Sequence, residues 1–181
     1  MSRRLRVQLI HGLEGSPTGA KAQVLARHFE LSAPAMDTGD FEGALSTQSE
    51  ALAAFRPDVL VGSSFGGAVA LALLQRGLWR GPTLLLAPAQ AHFGVESSVP
   101  EGLRITVVHG TRDDICPLEH SRALARSASV ELIEVDDDHR LGTGPAGEGH
   151  ELVEVERLPA RDPGSTVVAG EFPAVRRPFA G

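Results

Sequence analysis

The sequence of 181 residues is poor in two side chains that often carry chemistry or crosslinks, since it has a single cysteine and no tyrosine. Cys116 alone cannot form a disulfide within the chain, and we therefore expect a reducing, cytoplasmic setting. The absence of tyrosine excludes this side chain as an oxyanion donor or a general acid. This absence narrows the candidate chemistry only slightly.

Long apolar runs and an excess of basic residues are also missing. No run is long enough to span a bilayer, and the basic start Met-Ser-Arg-Arg-Leu-Arg is not followed by the apolar segment of a signal peptide. The formal net charge of −6 provides no basic surface for nucleic acid and no attraction to anionic membranes. We expect neither as a partner, and the oligomeric state is left open.

Short apolar runs alternate with segments of helical period, which predicts one α/β domain with a mostly parallel sheet and helices on both faces. The predicted strands are Leu5–His11, Leu31–Ala35, Asp58–Gly62, Thr83–Ala87, Leu103–His109 and Val130–Val135. The predicted helices are Thr18–Phe29, Gly43–Phe55, Phe65–Arg76 and Pro117–Ser127. These elements form a core over 1–141.

The composition changes after Leu141, so we separate 142–181 as an atypical tail of the same single domain. Gly142–Gly149 has the composition of a loop, and prolines recur beyond it. Leu152–Val155 and Thr166–Val168 are candidate short strands. A closing helix, which this architecture calls for, is not indicated by the pattern.

The strongest chemical signal is Gly62-Ser63-Ser64-Phe65-Gly66, which lies between a buried strand and a helix. A Gly-x-Ser-x-Gly motif in that context holds its serine on a strained turn, above the positive end of the helix. We predict Ser64 as the nucleophile and treat Ser63 as structural. The alternatives are an ordinary strand-to-helix turn or a phosphate-binding loop.

A glycine-rich loop, His11-Gly-Leu-Glu-Gly-Ser-Pro17, follows the first strand. A loop in this position supplies a second backbone donor to an oxyanion, and the N–H groups of Leu13 and Phe65 are our candidates. For His11 we favour a role in holding the loop over a direct catalytic role. An ordinary glycine-rich connection is the alternative for the whole loop.

A serine on such a turn needs a histidine base and an acid that orients it, and in chain order the acid comes first. The segment after the fifth strand offers Asp113 and Asp114, either of which also suits a turn or a helix cap. His139 follows the last strand by four residues and is our predicted base, with His150 in reserve. His120 lies on a helix and is expected to point elsewhere.

Three carboxylates, Asp136 to Asp138, come directly before His139. Nearby carboxylates favour the charged imidazolium, so the run is expected to raise the pKa of His139. The alternative is a solvated acidic loop without effect on the histidine.

Taken together, these motifs resemble those of the α/β-hydrolase superfamily and, within it, small single-domain bacterial esterases of the YqiA-like group. The resemblance is carried by HGLEGSPTGAKA at 11–22, LVGSSFGGAVA at 60–70, HGTRDDICP at 109–117 and DDDHRL at 136–141. The superfamily pattern Gly-x-x-Asp implies that the acid is Asp113 and places Cys116 where valine is usual. It implies carboxylic-ester hydrolysis but no particular substrate.

We therefore expect a serine esterase that forms an acyl-enzyme with Ser64, His139 and Asp113, without cofactor or metal. The connection between the fourth and fifth strands has no room for a lid, which favours small esters with short acyl chains. Candidate substrate contacts are His92, Phe93 and Ile115. A thioesterase, acyltransferase or amidase with the same triad is the alternative, followed by a binding module for acyl ligands. Cys116 is expected to be an apolar filler rather than a reactive thiol.

Overall fold

A computed structural model describes residues 3–142 and 149–158, and its centre is a parallel sheet of six strands in the order β2-β1-β3-β4-β5-β6. The strands are β1 (Arg6–Ile10), β2 (Glu30–Ser32), β3 (Val59–Ser63), β4 (Thr83–Leu86), β5 (Ile105–Gly110) and β6 (Val130–Val135). The helices are α1 (Ala20–His28), α2 (Phe41–Phe55), α3 (Phe65–Gln75), α4 (Leu118–Leu124) and α5 (His150–Arg157). All described strand pairs are parallel.

Alternate strand residues point to opposite faces of the sheet, and each face has its own apolar core. Leu60, Leu85 and Val107 pack with buried residues of α2, α3 and α4. Their neighbours in sequence, including Val61 and Leu84, pack on the other face with α1 and α5. Because strands covered on both faces must be apolar throughout, the central strands are near-continuous hydrophobic runs.

The predicted α/β architecture with helices on both faces is confirmed, and each predicted strand of the core is present. The prediction for Leu152–Val155 is wrong, because this segment lies in α5. Glu151 in the first turn and Arg157 in the last turn suit the helix dipole, and α5 packs against α1 and β4. The candidate strand Thr166–Val168 falls outside the described residues.

The connections at the carboxyl end of the sheet position the site. The loops after β1, β3, β5 and β6 carry His11 to Leu13, Ser64, Asp113 and His139 respectively. In parallel sheets, ligands bind at this edge. The connection between β4 and β5 is a loop with one turn of 3₁₀ helix, Gln90–Phe93, and has no lid domain. Among the described helices, none combines the length and apolar character that crossing a membrane requires.

Candidate active site

Ser64 occupies a strained turn between β3 and α3. Its backbone has φ 53° and ψ −113°, in the half of conformational space that non-glycine residues rarely adopt. The turn requires Gly66, because a Cβ at that position would run into the backbone carbonyl of Ile10. The strand, the turn and the helix thus present the Ser64 hydroxyl above the carboxyl edge of the sheet, as the motif predicts.

His139 lies within hydrogen-bonding distance of both Ser64 and Asp113. His139 Nε2 is 3.0 Å from Ser64 Oγ, and His139 Nδ1 is 2.8 Å from Asp113 Oδ2. Since a carboxylate only accepts, Nδ1 carries the ring proton and Nε2 is free to accept the proton of the hydroxyl. This is the arrangement in which a histidine acts as a base toward a serine.

The Asp113 carboxylate is fully buried and held by several N–H groups. Oδ1 accepts from the backbone N–H groups of Ile115, at 2.9 Å, and Cys116, at 2.8 Å. Burial alone would raise the pKa of Asp113, but the hydrogen bonds from Cys116, His139 and Ile115 outweigh it and leave the pKa below its ordinary value. A group held in this way is ionised at neutral pH.

The carboxylates of the acidic run make their hydrogen bonds and ion pairs away from His139. Asp136 is bound by Arg112, whereas Asp137 is 3 % exposed and lies 3.4 Å from His150 Nε2. Asp138 accepts from the backbone N–H of Arg140. The carboxylate that acts directly on His139 is therefore Asp113. The run instead shapes the loop that holds the histidine.

The other histidines that the sequence offered lie apart from this chain of contacts. His150 is engaged by Asp137, and His120 contributes its backbone carbonyl to Gln90 Nε2, at 3.1 Å. His11 is buried, and its Nδ1 lies 2.9 Å from the Gly12 carbonyl, inside the glycine-rich loop. This contact fits the predicted role of His11 in holding the loop.

The glycine-rich loop lies directly against the nucleophile. A Cβ on Gly12 would be 3.3 Å from Ser64 Cβ, so the loop and the serine are in contact. The N–H of Leu13 makes no hydrogen bond to another described residue. The N–H of Phe65 is the first of α3 and has no partner within the helix. Both donors are available to a ligand.

The predicted substrate contacts lie on the loops after β4 and β5, next to the acid. Ile115 is 56 % exposed, and Leu13 on the opposite loop is 55 % exposed. His92 Nδ1 is 3.8 Å from Cys116 Sγ. Phe93 packs edge-on against Phe65, with 4.9 Å between the ring centroids. The apolar surface of these loops thus continues from the turn that carries the serine.

Cys116 is a buried side chain rather than an exposed thiol, with 1 % exposure. Burial, followed by the negative charge of Asp113, raises the pKa of Cys116 to about 12. Asp113, Cys116 and His139 also form a group of donor atoms within 4.8 Å of one another, which the sequence pattern did not suggest. Within this group, Asp113 Oδ2 and His139 Nδ1 are already bonded to each other, which is the contact that a proton-transfer triad uses.

Sequence reasoning missed one residue that contacts the acid from behind. His109 Nε2, at the end of β5, is 3.1 Å from Asp113 Oδ2, and both side chains are fully buried. In the sequence, this residue ends the predicted strand Leu103–His109 and begins the HGTRDDICP motif, and no role in the site was predicted for it. The available signal was a histidine within an otherwise apolar buried strand, four residues before the acid.

Comparison with known proteins supports the fold. No protein-family model and no curated protein matches the chain. One similar solved structure is a protein of Xanthomonas campestris pv. campestris that is described as a hydrolase of the α/β superfamily. It is 27 % identical to this chain and has a TM-score of 0.62. The match covers 78 % of this chain and 90 % of that chain. Mouse alpha/beta hydrolase domain-containing protein 10 is 17 % identical, with a TM-score of 0.65 and coverage of 84 % and 88 %.

These similarities and the sheet topology give the chain the α/β-hydrolase fold. The Xanthomonas structure, at 27 % identity, is described as a hydrolase of this superfamily, which supports hydrolase activity for this chain. None of the similar structures tests the narrower resemblance to YqiA-like esterases, which stays a prediction.

Proposed function

We propose that the protein is a serine esterase that cleaves small carboxylic esters through an acyl-enzyme. The observation that carries the proposal is the pair of contacts made by His139, 3.0 Å to Ser64 Oγ and 2.8 Å to Asp113 Oδ2. A neutral imidazole in that position takes the proton of the hydroxyl as the hydroxyl attacks the ester carbonyl.

In the first half of the reaction, Ser64 Oγ bonds to the carbonyl carbon and its proton passes to His139 Nε2. The N–H groups of Leu13 and Phe65 bind the oxygen on which negative charge develops, and each such donor contributes about 3 kcal/mol. His139 then donates the proton to the departing alcohol. The buried, ionised Asp113 stabilises the charged imidazole during both transfers.

In the second half, His139 takes a proton from a water molecule, whose oxygen bonds to the acyl carbon. The bond from that carbon to Ser64 Oγ then breaks, His139 returns the proton to Oγ, and the carboxylic acid leaves. The atoms balance without a cofactor or a metal, because ester and water give alcohol and acid. Ser64 and His139 return to their starting states.

The preference for small esters is supported by the surface around the serine. The connection 87–104 has only one turn of 3₁₀ helix and provides no lid over the site. Leu13 and Ile115 are the two large hydrophobic side chains that are exposed among the described residues. Both lie on loops that hold parts of the site, so they offer apolar contacts to a substrate bound there.

The test is hydrolysis of p-nitrophenyl esters from acetate to palmitate by the wild type, Ser64→Ala and Ser63→Ala. Ser63, the neighbouring serine at the end of β3, serves as the matched control. We expect turnover that is highest for acetate and butyrate, lost in Ser64→Ala and kept in Ser63→Ala. A folded wild type no faster than Ser64→Ala on every ester would contradict the esterase proposal. Turnover of thioesters or amides instead would assign the same triad to another acyl transfer.

A further inference from the structure

His109 lies behind the acid of the proposed triad, in a position that the ester mechanism does not use. Its Nε2 is 2.9 Å from the Cys116 carbonyl oxygen and 3.1 Å from Asp113 Oδ2. Its Nδ1 is 2.7 Å from Ser121 Oγ on α4. The Asp113 oxygen that His109 faces is the same one that binds His139 Nδ1.

These partners determine where the ring proton of His109 lies. A backbone carbonyl can only accept, so Nε2 carries the hydrogen and donates it to Cys116, while Asp113 Oδ2 lies 3.1 Å from the same nitrogen. Nδ1 then accepts from the Ser121 hydroxyl. In this tautomer, His109 is a neutral ring whose Nε2–H lies beside the acid, and the carboxylate accepts three hydrogen bonds, two on Oδ1 and one, from His139, on Oδ2.

The surroundings keep the imidazole neutral. Burial lowers the pKa of His109, and it outweighs the carbonyl of Cys116 and the charge of Asp113, which both act to raise it. Glu134 on β6 stands opposite His109 in the sheet register, but its carboxylate is held by Arg122. A neutral ring in this place can orient Asp113 without adding a second positive charge beside His139.

We propose that His109 is a positioning residue that holds the Asp113 carboxylate in the orientation in which it binds His139 Nδ1. Two backbone N–H groups fix Oδ1, while His109 Nε2 lies 3.1 Å from Oδ2, the oxygen that binds His139. Without this donor, the carboxylate can turn about its bond to Cβ, and the hydrogen bond to His139 lengthens. The inference rests on the proposed function for its effect on turnover.

Three substitutions separate the donor at Nε2 from the rest of the ring. The amide nitrogen of glutamine is as many bonds from Cα as Nε2 of histidine, so His109→Gln keeps a donor toward Asp113. The amide of asparagine reaches only as far as Nδ1, and its oxygen can accept from Ser121 as Nδ1 does, so His109→Asn keeps only the contact with Ser121. His109→Met fills the space and has no donor at all.

We expect kcat on a short ester to fall about 10-fold in His109→Asn and His109→Met, because a hydrogen bond to a charged group is lost. KM should stay within about twofold, since His109 does not touch the substrate, and His109→Gln should keep kcat within about threefold of the wild type. Thermal unfolding of all three variants shows whether they remain folded. The two polar amides, glutamine and asparagine, give the decisive comparison if His109→Met is unstable.

Proton NMR of the protein with ¹⁵N-labelled histidine tests the geometry without any ester. The proton on His139 Nδ1, held by a buried carboxylate, should give a downfield signal in the wild type and in His109→Gln. The signal should be lost or shifted in His109→Asn and His109→Met. If wild type shows no turnover that depends on Ser64, the proposed function fails, and this signal still decides the role of His109.

Two results would overturn the proposal for His109. One is a wild-type kcat and an unchanged Nδ1–H signal in His109→Asn, which would show that the donor at Nε2 is not needed. The other is a loss in His109→Gln as large as that in His109→Met, which would assign the effect to ring packing.

Discussion

Replacing Asp113 with asparagine removes one charge and leaves the size of the side chain almost unchanged, and the structure gives the consequence in detail. The carboxylate accepts from the backbone of Ile115 and Cys116 on Oδ1 and from His139 on Oδ2, and Oδ2 also lies 3.1 Å from His109 Nε2. An amide has one accepting oxygen and one donating nitrogen. If its oxygen takes the two backbone groups, its nitrogen must face the N–H groups of two histidines.

The conflict is relieved when His139 moves its proton from Nδ1 to Nε2, the nitrogen 3.0 Å from Ser64 Oγ. A protonated Nε2 cannot accept the proton of the hydroxyl, so the serine loses its base. The wrong tautomer costs about 10,000-fold in kcat in serine-protease triads, and we expect a loss of that order for Asp113→Asn. The free energy of unfolding should also fall by about 2 kcal/mol, since a hydrogen bond to a buried charge is lost.

Asp114, the adjacent and exposed carboxylate, supplies the matched control. Steady-state hydrolysis of p-nitrophenyl acetate and urea unfolding should be measured for wild type, Asp113→Asn and Asp114→Asn. We expect wild-type values of kcat and stability for Asp114→Asn. The reasoning is refuted if Asp113→Asn keeps kcat within about threefold while Asp114→Asn loses it.

Three further predictions concern the thiol, the turn and an ion pair. Cys116, which is 1 % exposed and has a pKa raised to about 12, should react with a disulfide reagent at pH 8 only after urea unfolding, and fast labelling of the native protein would contradict this. Gly66→Ala forces a Cβ against the backbone of Ile10, and in a urea titration it should lower the free energy of unfolding by about 3 kcal/mol. The control Gly142→Ala places its Cβ in open space and should leave the free energy of unfolding unchanged. Burial would raise the pKa of Asp58, but hydrogen bonds from Arg3 and the Arg6 N–H leave it lowered. The difference in the free energy of unfolding between wild type and Asp58→Asn should therefore be constant from pH 5 to 8 and shrink below about pH 4. A difference that is unchanged at pH 3 would contradict this.

Much of the fold could be predicted because its local signals agree. Runs such as Asp58 to Gly62 are apolar throughout, which fits strands covered on both faces, and glycine and proline mark their ends. Helix α5 was missed because the β-branched Val153 and Val155 favour a strand by composition. Its charges give the helical signal, with Glu151 at the beginning and Arg157 at the end.

The candidate site was predictable where each residue is tied to the end of a strand. Ser64, Asp113 and His139 follow β3, β5 and β6 directly, so the topology alone carries them to one edge. The contacts of the His109 ring could not be predicted from sequence, since its partners depend on side-chain directions across β5 and α4. For the same reason the acidic run Asp136 to Asp138 was predicted to act on His139, whereas the structure places the Asp137 carboxylate 3.4 Å from His150 Nε2.

Covalent labelling with a fluorophosphonate tests the central claim most directly, because only a serine activated by a neighbouring base reacts with it. Intact-protein mass spectrometry and peptide mapping should be applied to wild type, Ser64→Ala, Ser63→Ala and His139→Gln. We predict one equivalent bound at Ser64 in wild type and Ser63→Ala, none in Ser64→Ala and strongly slowed labelling in His139→Gln. A folded wild type that does not react, or that reacts at a serine other than Ser64, would contradict the account.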